Sequence, residues 1–451
     1  MIVLAGQIKQ IIDNIIEERS KGNPAIREMT IAKLILKGLN PNKFDEDYPD
    51  DAVIIEKLLN IAKQLNIKSF DREEPNIKSA YSTKLLEEEA VEDIKSQLNL
   101  SNIKLVVFFS SNNYDQDKLS NLMEKAFYNC IVVGCTTAGE IVSGKLLKNS
   151  IVAMAINSNI ISDVKLEVIE NMSENLSLEK AFTSFEKYYN QSLYTMDATK
   201  FIGVSLIDGI SMKEEKIMDL IGDRTNIFFV GGSAGDDHKF LKTYVCANGK
   251  TYTDSTILLI LRINDNAEFS IIKTQSFTAL DHVFTANKVN EEKREVIEFN
   301  NRPAVLEYAE AVGASSVNDV SKYFSTNPLG LVVGEDDMFI RTPQQIKGNS
   351  MLFYCNILEG MEVRLFKSKD IIEDTKKAIE NKIKEFGKID GIINFDCVER
   401  ILEVEEKKLE KQYGEIFSSI PTIGFSTYGE QFIGHMNQTA AMLVFRSKIT
   451  K

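Results

Sequence analysis

At 451 residues, with 43% hydrophobic and 26% charged side chains, the chain has length for about three domains, each with its own core, and it lies outside the composition of disordered proteins. A net charge of −13 excludes the basic face that nucleic acids require, and it disfavours adsorption to an anionic membrane. No run reaches the ~18 apolar residues of a membrane span, and the apolar Met1–Ala5 is too short for a secretory leader.

Chain order begins with helices. Ile8, Ile11, Ile12, Ile15 and Ile16 fall on one helical face, which predicts an amphipathic helix. Asn23 as cap and Pro24 at the first position start a second helix that runs to about Lys37. A third follows the acidic stretch Asp45–Asp51, with Ile54, Leu58, Ile61 and Leu65 inward. Short loops favour antiparallel neighbours, so residues 1–65 read as a small bundle, either a folded cap or a docking module. Residues 66–99 read as a linker over 66–82 and then a helix.

From about residue 100 a strand–helix–strand–turn–strand pattern recurs. Ile103–Phe109, a helix at Asp115–Phe127, Ile131–Val133, a turn at Gly134 and Ser150–Ile156 form one unit. Phe201–Ile207, Lys213–Leu220, Ile227–Val230, Gly231 and Thr256–Leu261 form a second. Ile389–Phe395, Leu402–Phe417, Thr422–Ile423, Gly424 and Thr439–Phe445 form another. A weaker copy lies between these, with a helix at Pro303–Ala311, Gly330–Val333, an acidic turn after Gly334 and Met351–Tyr354, but no first strand. The glycines recur at intervals of roughly 100 residues, too long for the roughly 20–50-residue repeats of solenoids. The fold class is therefore α/β (α+β), with duplicated units, right-handed parallel crossovers and later strands pairing antiparallel in mixed sheets.

The turns carry the candidate chemistry. Gly134–Glu140 and Gly424–Glu430 share G-x-[ST]-T-x-G-E. A glutamate stands where a phosphate loop needs lysine, and a strand follows where it needs a helix, so nucleotide binding is rejected. Gly231–Gly235 matches G-x-S-x-G around Ser233, but no helix follows, which weighs against a serine hydrolase. Glu140, Asp236, Asp237, Asp336, Asp337 and Glu430 are acids at turns. They suit general acids, metal ligands or anchors for an ammonium group, against a bland reading as turn-stabilising residues. Cys397 and Arg400 end a buried strand, either as a reactive thiol and a carboxylate clamp or as core and surface residues. His435 and His238 are the candidates for titration or haem ligation. The five cysteines are scattered without a C-x-x-C pair, which suits reduced thiols and gives no zinc motif.

Taken together, G-C-T-T-A-G-E at Gly134, G-G-S-A-G-D-D at Gly231, F-x-C-x-x-R at Phe395–Arg400, G-F-S-T-Y-G-E at Gly424 and N-Q-T at Asn437–Thr439 resemble the FIST (F-box and intracellular signal transduction) domain family. The resemblance spans roughly residues 100–450 and implies a FIST N-terminal domain over 100–295 and a C-terminal domain over 296–451. It also implies a bacterial, cytoplasmic, non-enzymatic sensor. Family members occur alone or fused to histidine kinases, chemoreceptors or cyclic-nucleotide domains. Amino acids have been proposed as ligands, and some relatives bind haem and report nitric oxide. This chain departs from the fused pattern, with no output domain after residue 100, so it is expected to act alone or through a signalling partner, contacted by residues 1–65.

The expected ligand is a small zwitterion and no cofactor is required, with haem as the alternative. The expected ligand-binding residues are Thr136, Thr137, Glu140, Ser233, Asp236, Asp237, Cys397, Arg400, Thr427, Glu430 and Asn437. Asp236, Asp237 and Glu430 would meet its ammonium, and Arg400 with turn N–H groups its carboxylate.

Overall fold

A computed structural model describes residues 7–45, 48, 51–65, 67, 74–334 and 337–448. Met1–Ala5, Asp71–Glu73 and the acidic pair Glu335–Asp336 lie outside the described residues. The chain divides into two compact units, Met1–Pro75 and Asn76–Lys451. Among the described residues no helix is long and apolar enough to cross a membrane.

The first unit is the expected bundle of α1 (Gln7–Ser20), α2 (Pro24–Leu36) and α3 (Ala52–Gln64). Asn23 accepts hydrogen bonds from the N–H groups of Ala25 and Ile26, and Asp51 does the same for Val53 and Ile54. These side chains satisfy N–H groups that a helix start leaves open. Ile8, Ile12, Ile15, Leu34, Leu58 and Ile61 form its core.

The second unit is built on three copies of one motif rather than four. Copy one comprises β1 (Ile77–Ser82), α4 (Glu87–Gln97), β2 (Ile103–Ser111), α5 (Gln116–Ala126), β3 (Ile131–Thr137), the hairpin β4 (Glu140–Val142) and β5 (Lys145–Leu147), and β6 (Ile151–Asn157). Copy two comprises β7 (Ile161–Ile169), α6 (Met172–Asn175), α7 (Glu179–Tyr189), β8 (Phe201–Ile207), α8 (Glu214–Arg224), β9 (Phe229–Ser233), the hairpin β10 (Val245–Ala247) and β11 (Lys250–Tyr252), and β12 (Thr256–Ile263).

Copy three opens with β13 (Ala267–Gln275) and is interrupted by an inserted antiparallel subdomain. The insertion contains β14 (Phe277–Asn290), β15 (Glu295–Phe299), β16 (Arg302–Pro303), α9 (Ala304–Ala311), β17 (Leu329–Val333), β18 (Asp337–Arg341), β19 (Pro343–Lys347), β20 (Ser350–Phe353) and β21 (Glu362–Ser368). The copy then resumes with α10 (Ile371–Phe386), β22 (Gly391–Cys397), α11 (Val398–Glu406), α12 (Glu410–Glu415), β23 (Thr422–Thr427), the hairpin β24 (Glu430–Phe432) and β25 (Gly434–Met436), and β26 (Thr439–Ser447).

Each copy makes the same mixed sheet: its two middle strands are parallel, its last strand lies antiparallel beside the first of these, and its opening strand flanks the last. Each of these three sheets is completed by another copy's hairpin. The sheet of copy one takes β10–β11, that of copy two takes β24–β25, and that of copy three takes β4–β5. The donation closes in a circle, so the three copies fold as one interlocked body around a shared core that includes Phe109, Val230, Phe395 and Phe425.

Four expectations change. Gly134, Gly231 and Gly424 lie inside strands, not in turns, each beside the neighbouring parallel strand; the bends fall five residues later, at Gly139 and Gly429. The stretch at Gly330–Val333 is β17 of the insertion, paired with β18 and β21, so Gly334 belongs to a hairpin and not to a fourth copy. The helix expected over Leu402–Phe417 is two helices, because Lys408 takes a left-handed backbone conformation at φ 57°. Residues 77–82, expected as linker, form β1, paired in full with β6.

Candidate functional site

The three bends after β3, β9 and β23 meet at the centre of the body and lock to one another. Ala138 N–H donates to Ser426 O, and Ser426 N–H donates to Gly139 O. Gly235 N–H donates to Thr136 O, Ser233 N–H to Gly429 O, and Tyr428 N–H to Ser233 O. A Cβ on Gly235 would stand 2.8 Å from Ala138 N, so glycine is what allows this approach. The bends converge as their matched positions suggest, joined across the axis by these backbone hydrogen bonds.

The space lies to one side. Beside Gly139 a cleft of about 280 Å³ is lined by Glu140, Ile141, Leu146, Leu147 and Lys148 from the donated hairpin β4–β5 and its flank, Ile401 and Glu405 from α11, Glu410 from α12, and Ser426 from β23. It follows the carboxyl ends of the parallel strands, where α/β sheets form ligand crevices. A larger groove of about 570 Å³, lined by Leu100, Lys104, Tyr128 and Cys130, lies at the opposite, amino ends of β2 and β3 and holds no buried carboxyl group.

Glu140 is the floor of the cleft and only 1% exposed. Ser150 donates to it through its hydroxyl at 2.6 Å and its N–H at 3.2 Å, and the Thr137 hydroxyl donates to the other oxygen. Burial outweighs these bonds, and the Asp237 charge adds to it, pushing the Glu140 carboxyl up to about 7. Opposite, the Ser426 hydroxyl is buried and has no hydrogen-bond partner. At the mouth Lys148 and Glu405 form a 2.7 Å ion pair that is largely solvated. Such exposed pairs contribute only about 0–1 kcal/mol, so a ligand carboxylate can replace Glu405 at little cost.

The shift has a sign that can be checked. A carboxyl raised from 4.5 to about 7 in the fold contributes stability that is fully present below pH 4.5 and lost as pH rises through 7, in total roughly 3 kcal/mol. Glu140→Gln removes this titration. In urea melts the variant should gain about that much relative to wild type between pH 5 and pH 8; a difference independent of pH would show that Glu140 ionises normally.

The other expected residues lie apart from the lining of this cleft. Thr136, Thr137, Ser233 and Thr427 are buried at the meeting of the bends, where Thr427 donates to Ser233 O at 2.7 Å and Thr136 accepts from Tyr244 N–H. The Ser233 hydroxyl bonds Glu214 and Gln431, with no imidazole among its partners. Asp236 closes its own loop: it accepts from the N–H groups of Phe240, Leu241 and Lys242 and from the Tyr428 hydroxyl, and these bonds overcome its burial to hold it below the usual range. Asp237 and His238, with left-handed backbones, stand at the edge of this loop.

Arg400 and Cys397 do not face the cleft. Arg400 is 1% exposed and spends its fork internally on Asp396, Ser276, Thr375 and Tyr413. Burial, with Glu430 and Glu399 nearby, drives the Cys397 thiol well above its ordinary range, so it is not a thiolate. Asp337, the remaining described member of the acidic hairpin, pairs with Lys273 on the insertion side.

Glu430 and Glu140 occupy matching places, opposite Gly232 and Phe425, each one residue past the in-strand glycine; copy two has Val245 there. Glu430 is fully buried, and burial raises its carboxyl well above the usual range despite Thr439 N–H donating to it. Asn437 accepts from the Cys355 thiol. His435 Nε2 abuts Gly429, where a Cβ would stand 2.1 Å away. A macrocycle on that nitrogen would require the bend to open.

Sequence reasoning missed Lys148, Ile401, Glu405, Glu410 and Ser426. No spacing rule links a hairpin at 140–148 to helices at 398–415.

The FIST N domain family matches residues 104–302 and the FIST C domain family matches residues 304–433. An uncharacterized protein of Methanocaldococcus jannaschii is 23% identical over 312 residues, covering 64% of this chain and 59% of its own length.

Proposed function

The chain belongs to the FIST family, whose domains are sensory modules of signal transduction, and we infer from this that the cleft beside Glu140 is its ligand site, taking a small amino acid with an apolar side chain. The observation that carries the reading is the pairing of a buried, proton-holding carboxyl on Glu140 with the unpartnered Ser426 hydroxyl across a cleft with apolar walls. An ammonium group supplies the positive charge that an ionised Glu140 lacks. Lys148, released from Glu405, meets the ligand carboxylate, and Ile141, Leu146, Leu147 and Ile401 surround the side chain. The volume lies just below the ~300–1,000 Å³ of drug-sized sites.

The signalling step follows from where the cleft sits. Its walls come from two copies of the motif, the hairpin of one and the helices of another, so a bound ligand favours one packing of hairpin on helices. A signalling partner would read that packing.

A thermal-shift panel of the twenty amino acids and simple amines, at millimolar concentration and pH 8, tests the reading. Stabilisation follows the ratio of ligand concentration to Kd. An apolar amino acid should raise the midpoint of wild type and leave Glu140→Gln unmoved. No shift with any compound, or an equal shift in the variant, would overturn the assignment.

A further inference from the structure

The circular exchange of hairpins gives the Glu140 cleft a counterpart. Donated β5 packs against α12, donated β25 packs against α8, and donated β11 packs against α5. At the β25–α8 junction the chain supplies a different chemistry. Glu215 of α8, Cys355 just after β20 of the insertion, and His435 of β25 bring a carboxylate oxygen, a sulfur and an imidazole nitrogen within 4.8 Å of one another. Cys355 is fully buried and His435 is 2% exposed. Neither ring nitrogen of His435 has a hydrogen bond in the required direction, although Nδ1 is 3.2 Å from Glu215 Oε1.

We propose that Glu215, Cys355 and His435 form a binding site for a divalent transition metal, zinc first, that ties the inserted subdomain to the threefold body. Thiolate, imidazole and carboxylate are a zinc donor set, with bonds of about 2.0–2.3 Å in tetrahedral array. Edges of such a tetrahedron are about 3.3–3.7 Å, so the Nδ1–Oε1 separation already fits and the sulfur has only a short distance to close. The charges also balance. Arg294 bonds both Glu214 and Glu215, at 2.8 Å and 2.6 Å. With Arg294 balanced by Glu214, a dication is balanced by the Cys355 thiolate and Glu215, and His435 binds neutral.

Partners of the ligands are in place to orient them, as second partners of metal ligands do. Asn356 N–H donates to Glu215 Oε1 at 2.9 Å, and the Asn437 side-chain amide lies 2.8 Å from Cys355 Sγ. Binding replaces the thiol proton and any imidazole proton, releasing them to solvent. Three protein donors leave the fourth tetrahedral position to a water or a neighbouring polar group, and the depth of the cluster suits a metal that holds the fold rather than one that turns over substrate. A thiol–imidazole–carboxylate catalytic triad needs access for substrate, and Cys355 has no exposed surface.

The test uses the full chain, stripped with chelator and titrated with Co²⁺. One equivalent should produce a thiolate-to-cobalt charge-transfer band and tetrahedral visible bands, both erased by excess Zn²⁺. Cys355→Ser should abolish the charge-transfer band, His435→Gln and Glu215→Gln should weaken binding at least tenfold, and Cys246→Ser should leave the spectrum unchanged. Should Cys355→Ser fail to fold, metal retention by wild type after desalting decides the matter, with one equivalent expected. Absence of any band and of retained metal in wild type, or a band that survives in folded Cys355→Ser, would overturn the proposal.

Discussion

Arg400→Ala should cost about 3–5 kcal/mol in chemical denaturation, because it leaves the fully buried Asp396 carboxylate without its cation. Arg400 Nε donates to Asp396 Oδ1 at 2.9 Å, Nη2 reaches Thr375 of α10 at 2.8 Å, and both Nη2 and Asp396 bond the Tyr413 hydroxyl of α12. Nη1 reaches Ser276, where the insertion leaves the body. One guanidinium thereby fixes three helices and a strand of copy three. Arg400→Lys should recover little, since an ammonium cannot reproduce the planar fork. An Arg400→Ala chain within about 1 kcal/mol of wild type would show that the network is not a structural pin.

The second large effect is expected at Gly231. A Cβ there would stand 2.0 Å from Ser205 O and 2.3 Å from Ser205 Oγ, on a strand held between β8 and β24. Gly134 and Gly424 stand at the same register, with Cβ positions 2.3 Å from Phe108 O and 2.4 Å from Asn394 O. The Ser205 hydroxyl can rotate away but the Ser205 backbone carbonyl cannot, so Gly231→Ala should lose more than about 4 kcal/mol and accumulate as aggregate, in the range reserved for overpacking at its worst. Gly222→Ala is the control. It sits exposed in α8 with no atom within 4 Å of the added carbon, and it should gain up to about 1 kcal/mol from helix propensity. Soluble Gly231→Ala with an unchanged melt would mean that the parallel strands can separate without loss.

These positions also mark how far the sequence could be read. The strands β2, β8 and β22 were legible because near-continuous apolar runs signal burial on both faces, and α5 and α8 followed from their helical periodicity. Family and fold class were legible from the same stretches. The glycines were legible as important but misplaced: a glycine needed for close approach of two parallel strands looks, in sequence, like one needed for a turn. The exchange of hairpins was hidden altogether. Strands of three residues carry no period, and nothing local in Glu140–Leu147 indicates pairing with β23, more than half the chain away.

The candidate site shows the same division. Glu140 was legible as an acid at a strand end. Its neighbours Ile401, Glu405 and Glu410 arrive on helices whose break at Lys408 is set by backbone conformation rather than by a glycine or proline. Arg400 and Cys397 were read toward a ligand because they end a strand at the right side of the sheet. α11 begins at Val398, and its inward face carries Arg400 to the core instead.

The central claim is that the Glu140 carboxyl, near 7 without ligand, gives up its proton to receive an ammonium group. Calorimetric titration of the amino acid with the largest thermal shift, at pH 6 and pH 8, measures this directly. Wild type should bind about tenfold more tightly at pH 8, as one pH unit below the carboxyl's midpoint implies. Equal affinity at the two pH values, or tighter binding at pH 6, would contradict it.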